Sequence, residues 1–333
     1  MVLRAGLVGL GMMGRNHARL LQTTEGIELV AVADPAGDLN GAIRTATIVP
    51  TVDEMIAIGL DICVVACPTE DHEGVGVKLA AAGVHALIEK PLAVDLPAAR
   101  RLAEAFEAAG LVGAVGHIER SNAAVRSLRA RLAAGELGEV FQVATRRLGP
   151  FPDRIRDVGV VKDLATHDLD LAAWVGGAEY AVIAAQTIRK AGREHEDLIA
   201  ATGLLANGIV TNHLVNWLTP YKERLVVATG DQGMMVADTI TADLTHYING
   251  SVPIEWESLS GFRGVSEGDV TRYAIPKAEP LKVQLEGFRN VVSGEPGDIV
   301  TMREGMAAVA AADAAIESAS TGMSVRIDPE EER

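Results

Sequence analysis

The feature that most constrains this chain is a glycine-spaced turn set between an apolar run and an amphipathic one. Leu3 to Val8 reads as a strand, Gly9-Leu-Gly11-Met-Met-Gly14 follows at once, and Arg15 to Leu21 reads as a helix. In such a strand–turn–helix unit the first glycine permits the tight turn and the second lets backbone approach a pyrophosphate. The third lets helix and strand pack closely, with the phosphates at the helix N-terminus. The spacing alone is a weak signal, and glycines serving only the turn are its structural alternative. Here the second strand ends on Asp34, whose carboxylate is placed to accept hydrogen bonds from a ribose. Pro35-Ala36-Gly37 supplies no cation to neutralise a 2′-phosphate, so the pattern predicts NAD rather than NADP.

The unit continues as an alternation. Glu28 to Ala33, Ile62 to Ala66, Val84 to Ile88 and Leu111 to Val115 read as further strands. Val52 to Ile58, Glu73 to Ala82 and Leu96 to Ala109 read as helices. Continuous apolar strands separated by helices predict a parallel sheet covered on both faces. Around Gly116-His-Ile-Glu-Arg-Ser-Asn122 the rhythm breaks. After a helix pattern at Ala124 to Ala133 and a strand pattern at Val140 to Thr145, four strand patterns follow with only short turns: Ala181 to Ile188, Leu198 to Leu205, Ile209 to Trp217 and Lys222 to Thr229. Strands without intervening helices predict an antiparallel sheet. A helix over Thr301 to Ser318 and a strand over Met323 to Ile327 close the pattern. The expected organisation is an α/β chain with a Rossmann domain over 1–119 and a substrate-binding and oligomerisation domain over 120–333. The C-terminal segment is free to pack back on the first domain.

The chain has 333 residues and a net charge of −15, which opposes nonspecific attraction to nucleic acid or an anionic membrane. Cys63 and Cys67 share one apolar run and are poorly placed to bridge each other, so they read as small buried residues of a reducing compartment. Arg4 and a strand pattern stand where a signal sequence would have its apolar region, and no run approaches membrane-spanning length. The expectation is a cytoplasmic protein without a metal site.

Two further constellations carry chemistry. Glu89-Lys90-Pro91 follows a buried-strand pattern and so puts a lysine at a strand's carboxyl end, where open α/β sheets bind ligands. In Lys162-Asp-Leu-Ala-Thr-His-Asp-Leu-Asp-Leu171, Asp163 and His167 are four apart and share a helix face. A histidine exchanges a hydroxyl proton near neutral pH, and a carboxylate beside it orients the ring. Taken alone, the pair reads equally well as a surface helix pair. Asp170 reads as local structure. Ala66-Cys67-Pro68-Thr69 with His72 ends another strand in the same crevice, with helix capping by Thr69, Glu70 and Asp71 as the structural alternative.

In this order and spacing the glycine turn, Glu89-Lys90-Pro91 and Asp163-xxx-His167-xx-Asp170 resemble the Gfo/Idh/MocA oxidoreductases, over nearly the whole chain. The resemblance implies a Rossmann domain followed by an α/β domain on a largely antiparallel, open-faced sheet that supports homodimers or homotetramers. It implies hydride transfer from a carbinol carbon to NAD, with Lys90, Asp163 and His167 as catalytic residues. His167 takes the hydroxyl proton, Lys90 stabilises the developing alkoxide and Asp163 holds the imidazole, although Lys90 and His167 exchange the role of base among relatives. Cofactor contacts fall on Gly9, Gly11, Met12, Met13, Gly14 and Asp34, and on Cys67, Pro68, Thr69, His72, Glu89 and Lys90.

Residues 116–122 and 149–161 look more specifically like the subgroup that oxidises the 3-hydroxyl of UDP-N-acetylglucosamine. This reading places substrate contacts on Arg120, Asn122, Arg154 and Arg156 beside Lys90, Asp163 and His167. Arg146 and Arg147 add to a local cationic concentration suited to a diphosphate, with solvated strand or loop positions as the alternative. Ser121, Ala123 and Lys162 depart from the subgroup pattern. The alternative functions are an inositol, free-sugar or deoxysugar-nucleotide dehydrogenase or ketoreductase, and a noncatalytic dinucleotide-binding regulator.

Overall fold

The five apolar runs of the first 116 residues, with a short and largely exposed edge strand that the sequence left unmarked, pair edge to edge as six parallel strands in the order β3-β2-β1-β4-β5-β6. These are β1 (Leu3–Val8), β2 (Ile27–Ala33), β3 (Thr47–Val49), β4 (Ile62–Val65), β5 (His85–Glu89) and β6 (Gly113–Gly116). Helices α1 (Met12–Leu21), α2 (Val52–Ala57), α3 (His72–Ala81) and α4 (Leu96–Ala108) connect them. The computed structural model describes residues 2–151, 158–192, 194–250 and 266–327, without the side chains of 266 and 267.

Successive strand residues go to opposite sides. Leu7, Val64 and Leu87 join one apolar cluster with Ala18 and Leu21 of α1. Val8, Val65 and Ile88 join another with Leu79, Leu102 and Phe106 of α3 and α4. A sheet buried on both faces has no polar positions to spare, which is why its strands read as continuous apolar runs.

The chain folds as two compact units, the first containing residues through Ser121 together with Glu279–Asp313. The side chains of Glu279–Asp313 account for its place in this unit. Helix α7 (Pro280–Val292), unmarked in the sequence reading, buries Leu281, Leu285 and Phe288 in the α1-side cluster. Helix α8 (Met302–Thr321) contributes Met302, Met306 and Val309 to the other. Each fully buried large apolar side chain is worth about 1.5–3 kcal/mol, enough for this packing to outweigh chain order.

The second unit holds Asn122–Ala278 and, among the later described residues, 314–327. Its nine-stranded sheet runs β14-β13-β12-β11-β7-β10-β9-β8-β15. The strands are β7 (Val140–Leu148), β8 (Tyr180–Ile188), β9 (Leu198–Leu205), β10 (Val210–Asn216), β11 (Glu223–Gly230), β12 (Gly233–Asp238), β13 (Asp243–Gly250), β14 (Ser266–Tyr273) and β15 (Val325–Arg326). All neighbours are antiparallel except β7 and β10, which are parallel. Helices α5 (Ala123–Ala133) and α6 (Thr166–Gly176) lie against this sheet. Val143, Thr145 and Arg147 of β7 are buried, while on the opposite face Gln142, Ala144 and Leu148 are half-buried and Arg146 is exposed, so one face is covered and the other more open.

Under the covered face Thr145 Oγ1 lies 2.8 Å from His213 Nδ1, and His213 Nε2 lies 2.8 Å from the Tyr180 hydroxyl. Burial pulls His213 down to about 3, so the ring is neutral and can donate from one nitrogen and accept at the other.

Candidate active site

In the first unit, strand order reverses between β1 and β4, and the chemistry-bearing residues collect at the carboxyl ends of the strands around that point. Gly9 leaves β1 at φ +88°, and an added Cβ there would come within 2.7 Å of the Ala66 carbonyl oxygen at the end of β4. A Cβ at Gly14 would overlap the Gly9 carbonyl. Gly11, the N-cap of α1, is different: a Cβ there would meet nothing within 4 Å. The turn is therefore closed on its inner side and open on the side where Gly11 and exposed Met12 lie. The first-turn amides of Met12, Met13 and Gly14 have no carbonyl partner within the helix, which is the property that suits a helix start to a phosphate.

Asp34 is braced rather than loose. Its Oδ2 accepts from the Leu10 amide at 2.7 Å, inside the glycine turn, and its Oδ1 from the Ala36 amide at 2.8 Å. A carboxylate has about four acceptor sites, so each oxygen keeps capacity for a ribose hydroxyl. Turn, helix start and oriented carboxylate together fit a dinucleotide.

At the end of β4, Pro68 and Thr69 open a single 3₁₀ turn (Thr69–Asp71) that leads into α3. Asp71, the N-cap of α3, makes no side-chain cap. Half-buried Cys67 has its thiol pushed up to about 12, chiefly by burial and then by the Asp71 charge. Cys63 and Cys67 are both free thiols. His72 is 1% exposed, with Nδ1 3.0 Å from the Pro91 carbonyl and Nε2 3.2 Å from that of Cys67. Burial pulls the ring below its ordinary value against the opposing pull of these carbonyls. His72 thus ties the end of β4 to the turn after β5.

That turn contains half-buried Lys90, and the Lys90–Pro91 bond is cis. Beside it, Glu89 points its carboxylate into the unit: Oε1 lies 2.8 Å from Nε2 of fully buried His17 on α1, and Oε2 accepts from the Lys90 amide at 3.3 Å. Burial alone would raise the Glu89 pKa, but His17 and Lys90 outweigh it and hold the carboxyl below its usual range. The strand end bearing Lys90 is thereby held from α1 and α3. Sequence reasoning missed His17, although its spacing from Gly14, Ala18 and Leu21 marks the buried face of α1.

In the second unit Asp163 and His167 lie on consecutive turns, both almost fully buried at 8% and 9% exposure. The segment does not start as an ordinary α-helix: Val161–Ala165 winds as a π-helix before α6 begins at Thr166. Four residues are slightly more than one α turn and slightly less than the wider π turn, so the two side chains stay near one face. π-turns are rare and recur at functional sites. Next to His167, Asp168 accepts from the Arg147 guanidinium at 2.6 Å, and both side chains are buried. The sequence reading assigns Asp170 to local structure and does not identify the Arg147–Asp168 pair.

Arg120, Arg146 and Arg147 each have a carboxylate partner within their own unit. Arg120, in the first unit, is paired with Glu304 at the start of α8. In the second unit Arg146 pairs with Glu223 at 2.8 Å and Arg147 with Asp168. Asn122 caps α5, accepting from the Ala124 amide at 3.0 Å and donating to the Thr239 carbonyl at 3.0 Å. Arg154 and Arg156 lie outside the described residues. Among the described residues no group of histidine, cysteine and carboxylate side chains could hold a metal ion, and no helix is long and apolar enough to cross a membrane.

A parallel six-stranded sheet with a glycine turn and a braced acidic residue at its switch point, joined to an open-faced sheet, defines a class of dinucleotide-dependent enzyme. Comparison with known proteins agrees. Residues 3–117 match the model of the Gfo/Idh/MocA oxidoreductase family, NAD-binding Rossmann fold, and residues 125–236 match the Gfo/Idh/MocA C-terminal domain. The UDP-N-acetylglucosamine 3-dehydrogenase of Acidithiobacillus ferrooxidans is 30% identical over 297 residues, covering 87% of this chain and 89% of the relative. Its solved structure superposes with a TM-score of 0.81 at 25% identity, covering 96% and 99% of the two chains. GenD2 from gentamicin A biosynthesis, solved with NAD, gives 0.81 at 26% identity, covering 98% and 97%. The inositol 2-dehydrogenase 2 of Saccharopolyspora erythraea is 26% identical over 348 residues, covering 98% and 96%. The chain belongs to the Gfo/Idh/MocA oxidoreductase family and is an NAD-binding dehydrogenase.

Proposed function

We propose that this enzyme oxidises a secondary sugar hydroxyl to a ketone, with the 3-hydroxyl of UDP-N-acetylglucosamine or a related nucleotide sugar as substrate. The observation that carries the reading is the pair of buried, helix-borne groups Asp163 and His167 in a chain that also fixes Lys90 at the end of β5. The resemblance of nearly the whole chain to the Acidithiobacillus enzyme supports the substrate class. NAD, when bound, supplies the hydride acceptor, and the residues that would hold it are Gly9 to Gly14, Asp34 and the Cys67–Thr69 segment.

His167 accepts the hydroxyl proton, because an imidazole is the side chain suited to that exchange near neutral pH. Asp163 orients the imidazole and stabilises its protonated form. Lys90 stabilises negative charge on the substrate oxygen as the proton leaves. The open sheet face of the second unit is the surface proposed for homodimer or homotetramer formation, in a cytoplasmic enzyme.

A second reading, an inositol or free-sugar dehydrogenase, draws on a specific observation. Arg120, Arg146 and Arg147 are matched with carboxylates, which leaves less cationic character for a diphosphate. The deciding experiment mixes enzyme and NAD with nucleotide sugars, inositols and free sugars, follows reduced nicotinamide and identifies the product. Turnover of UDP-N-acetylglucosamine to a 3-keto sugar supports the first reading. Turnover of inositols or free sugars alone defeats it.

A further inference from the structure

The segment that carries Asp163 and His167 starts under a clamp from a loop far away in sequence. Val160 donates its amide to the Glu196 carbonyl at 3.0 Å, and Val161 donates to the Glu196 carboxylate, Oε1, also at 3.0 Å. One residue thus satisfies two adjacent amides at the start of the helical segment, where the helix itself offers no acceptor. The sequence makes room for it: a Cβ on Gly159 would overlap the Glu196 carboxylate. Gly159 in turn accepts from the Asp163 amide at 3.1 Å and so closes the first turn.

Glu196 is itself aimed by its neighbour. Asp197 is fully buried, and its Oδ2 accepts from the amides of Lys190 and Ala191 at 2.6 and 2.7 Å. Its Oδ1 accepts from the Trp217 indole at 2.7 Å, and its amide donates to the Ile188 carbonyl at 2.8 Å. These bonds tie the chain between β8 and β9 to the sheet immediately beside Glu196.

What the clamp holds is the π-turn Val161–Ala165. Such a turn is rare, occurs mostly as a single turn within an α-helix, and persists where its surroundings impose it. Were it to rewind as α-helix, Asp163 would rotate relative to His167. We propose that Glu196 is a positioning residue for the Asp163–His167 pair: it fixes the first amides of the segment and so preserves the wide turn that sets the angle between the two side chains. This inference rests on the catalytic reading of Asp163 and His167.

The test uses the full chain with NAD and UDP-N-acetylglucosamine, or whichever compound the substrate panel selects. Glu196→Ala is expected to lower kcat about tenfold or more, as misplaced catalytic groups do, with NAD affinity unchanged. Glu196→Gln, whose amide oxygen can accept the same Val161 hydrogen bond, is expected to restore kcat to within about twofold. Parental turnover in the alanine variant, or a glutamine variant as slow as the alanine one, overturns the proposal. Amide hydrogen exchange across 160–167 gives a readout independent of substrate: exchange must quicken in Glu196→Ala, and unchanged exchange overturns the clamp. If the alanine variant does not fold, Glu196→Asp, which keeps the charge and shortens the reach, takes its place with the same expected losses and the same overturning results. Parental turnover in His167→Asn would instead defeat the underlying catalytic reading.

Discussion

His17 and Glu89 form a buried contact of 2.8 Å that joins the helix behind the glycine turn to the strand ending at Lys90. The carboxyl is held below its usual pKa in the folded protein. A group with a depressed folded pKa adds stability above its unfolded pKa, about 4.3 for a glutamate, and loses it as pH falls through the folded value. Replacing Glu89 by Gln is therefore expected to cost about 1.5–3 kcal/mol near pH 7, the worth of a hydrogen bond to a charged group. Denaturant titrations of parent and variant should converge as the pH drops below the ordinary carboxylate range. A difference constant from pH 7 to pH 3 would show that the charge of Glu89 is not what the pair uses.

The glycine turn offers a contrast between two substitutions. Gly14→Ala drives a methyl into the Gly9 carbonyl and is expected to distort the turn and lower Tm. Gly11→Ala meets no protein atom, and its backbone at φ −61° suits alanine, so stability should stay within about 0.5 kcal/mol of the parent. Yet Gly11→Ala should weaken NAD about tenfold or more, about 1.4 kcal/mol, because its methyl occupies the space for the pyrophosphate. Calorimetric titration with NAD checks this, and parental affinity in Gly11→Ala would remove the turn from the cofactor site.

His167→Asn and Lys90→Ala are expected to leave NAD affinity within about twofold and to slow hydride transfer about 10²–10⁴-fold, the usual worth of a positioned proton-transfer group. Single-turnover kinetics separate the step from product release. Parental rates in either variant would withdraw that residue from the chemistry.

Arg147 and Asp168 make the buried ion pair next to His167. Asp168→Asn or Arg147→Met alone should cost about 3–5 kcal/mol, since each strands a buried charge, whereas the double replacement should recover much of the loss. A double-mutant cycle by denaturant unfolding measures the coupling. Additive losses would mean that the two side chains act independently.

Much of the fold was legible because its signals are local. Five of the six parallel strands read as apolar runs, the short edge strand β3 going unmarked, and the glycine turn names its own backbone conformations. The sheet of the second unit was partly legible: β7 to β11 and β15 showed strand patterns, while β12, β13, β14 and α7 went unmarked. The site was legible as residue types. Lys90, Asp163 and His167 stand at spacings that chemistry explains, but the partners that hold them are remote: His17 is 72 residues from Glu89, and Glu196 is 35 from Val161.

The sequence by itself determined the strand–turn–helix unit, the acidic residue at the end of the second strand and the candidate catalytic set, since each depends on spacing within a few residues. Only the tertiary structure decided that Glu89 turns inward to His17 and that His72 braces two carbonyls. It also revealed the carboxylate partners of Arg120, Arg146 and Arg147, and the π-turn that begins the Asp163–His167 segment. The reason is physical: a charged or polar group taken out of water must find a partner, and which partner lies within about 3 Å is a property of the packed chain and not of its neighbours in sequence.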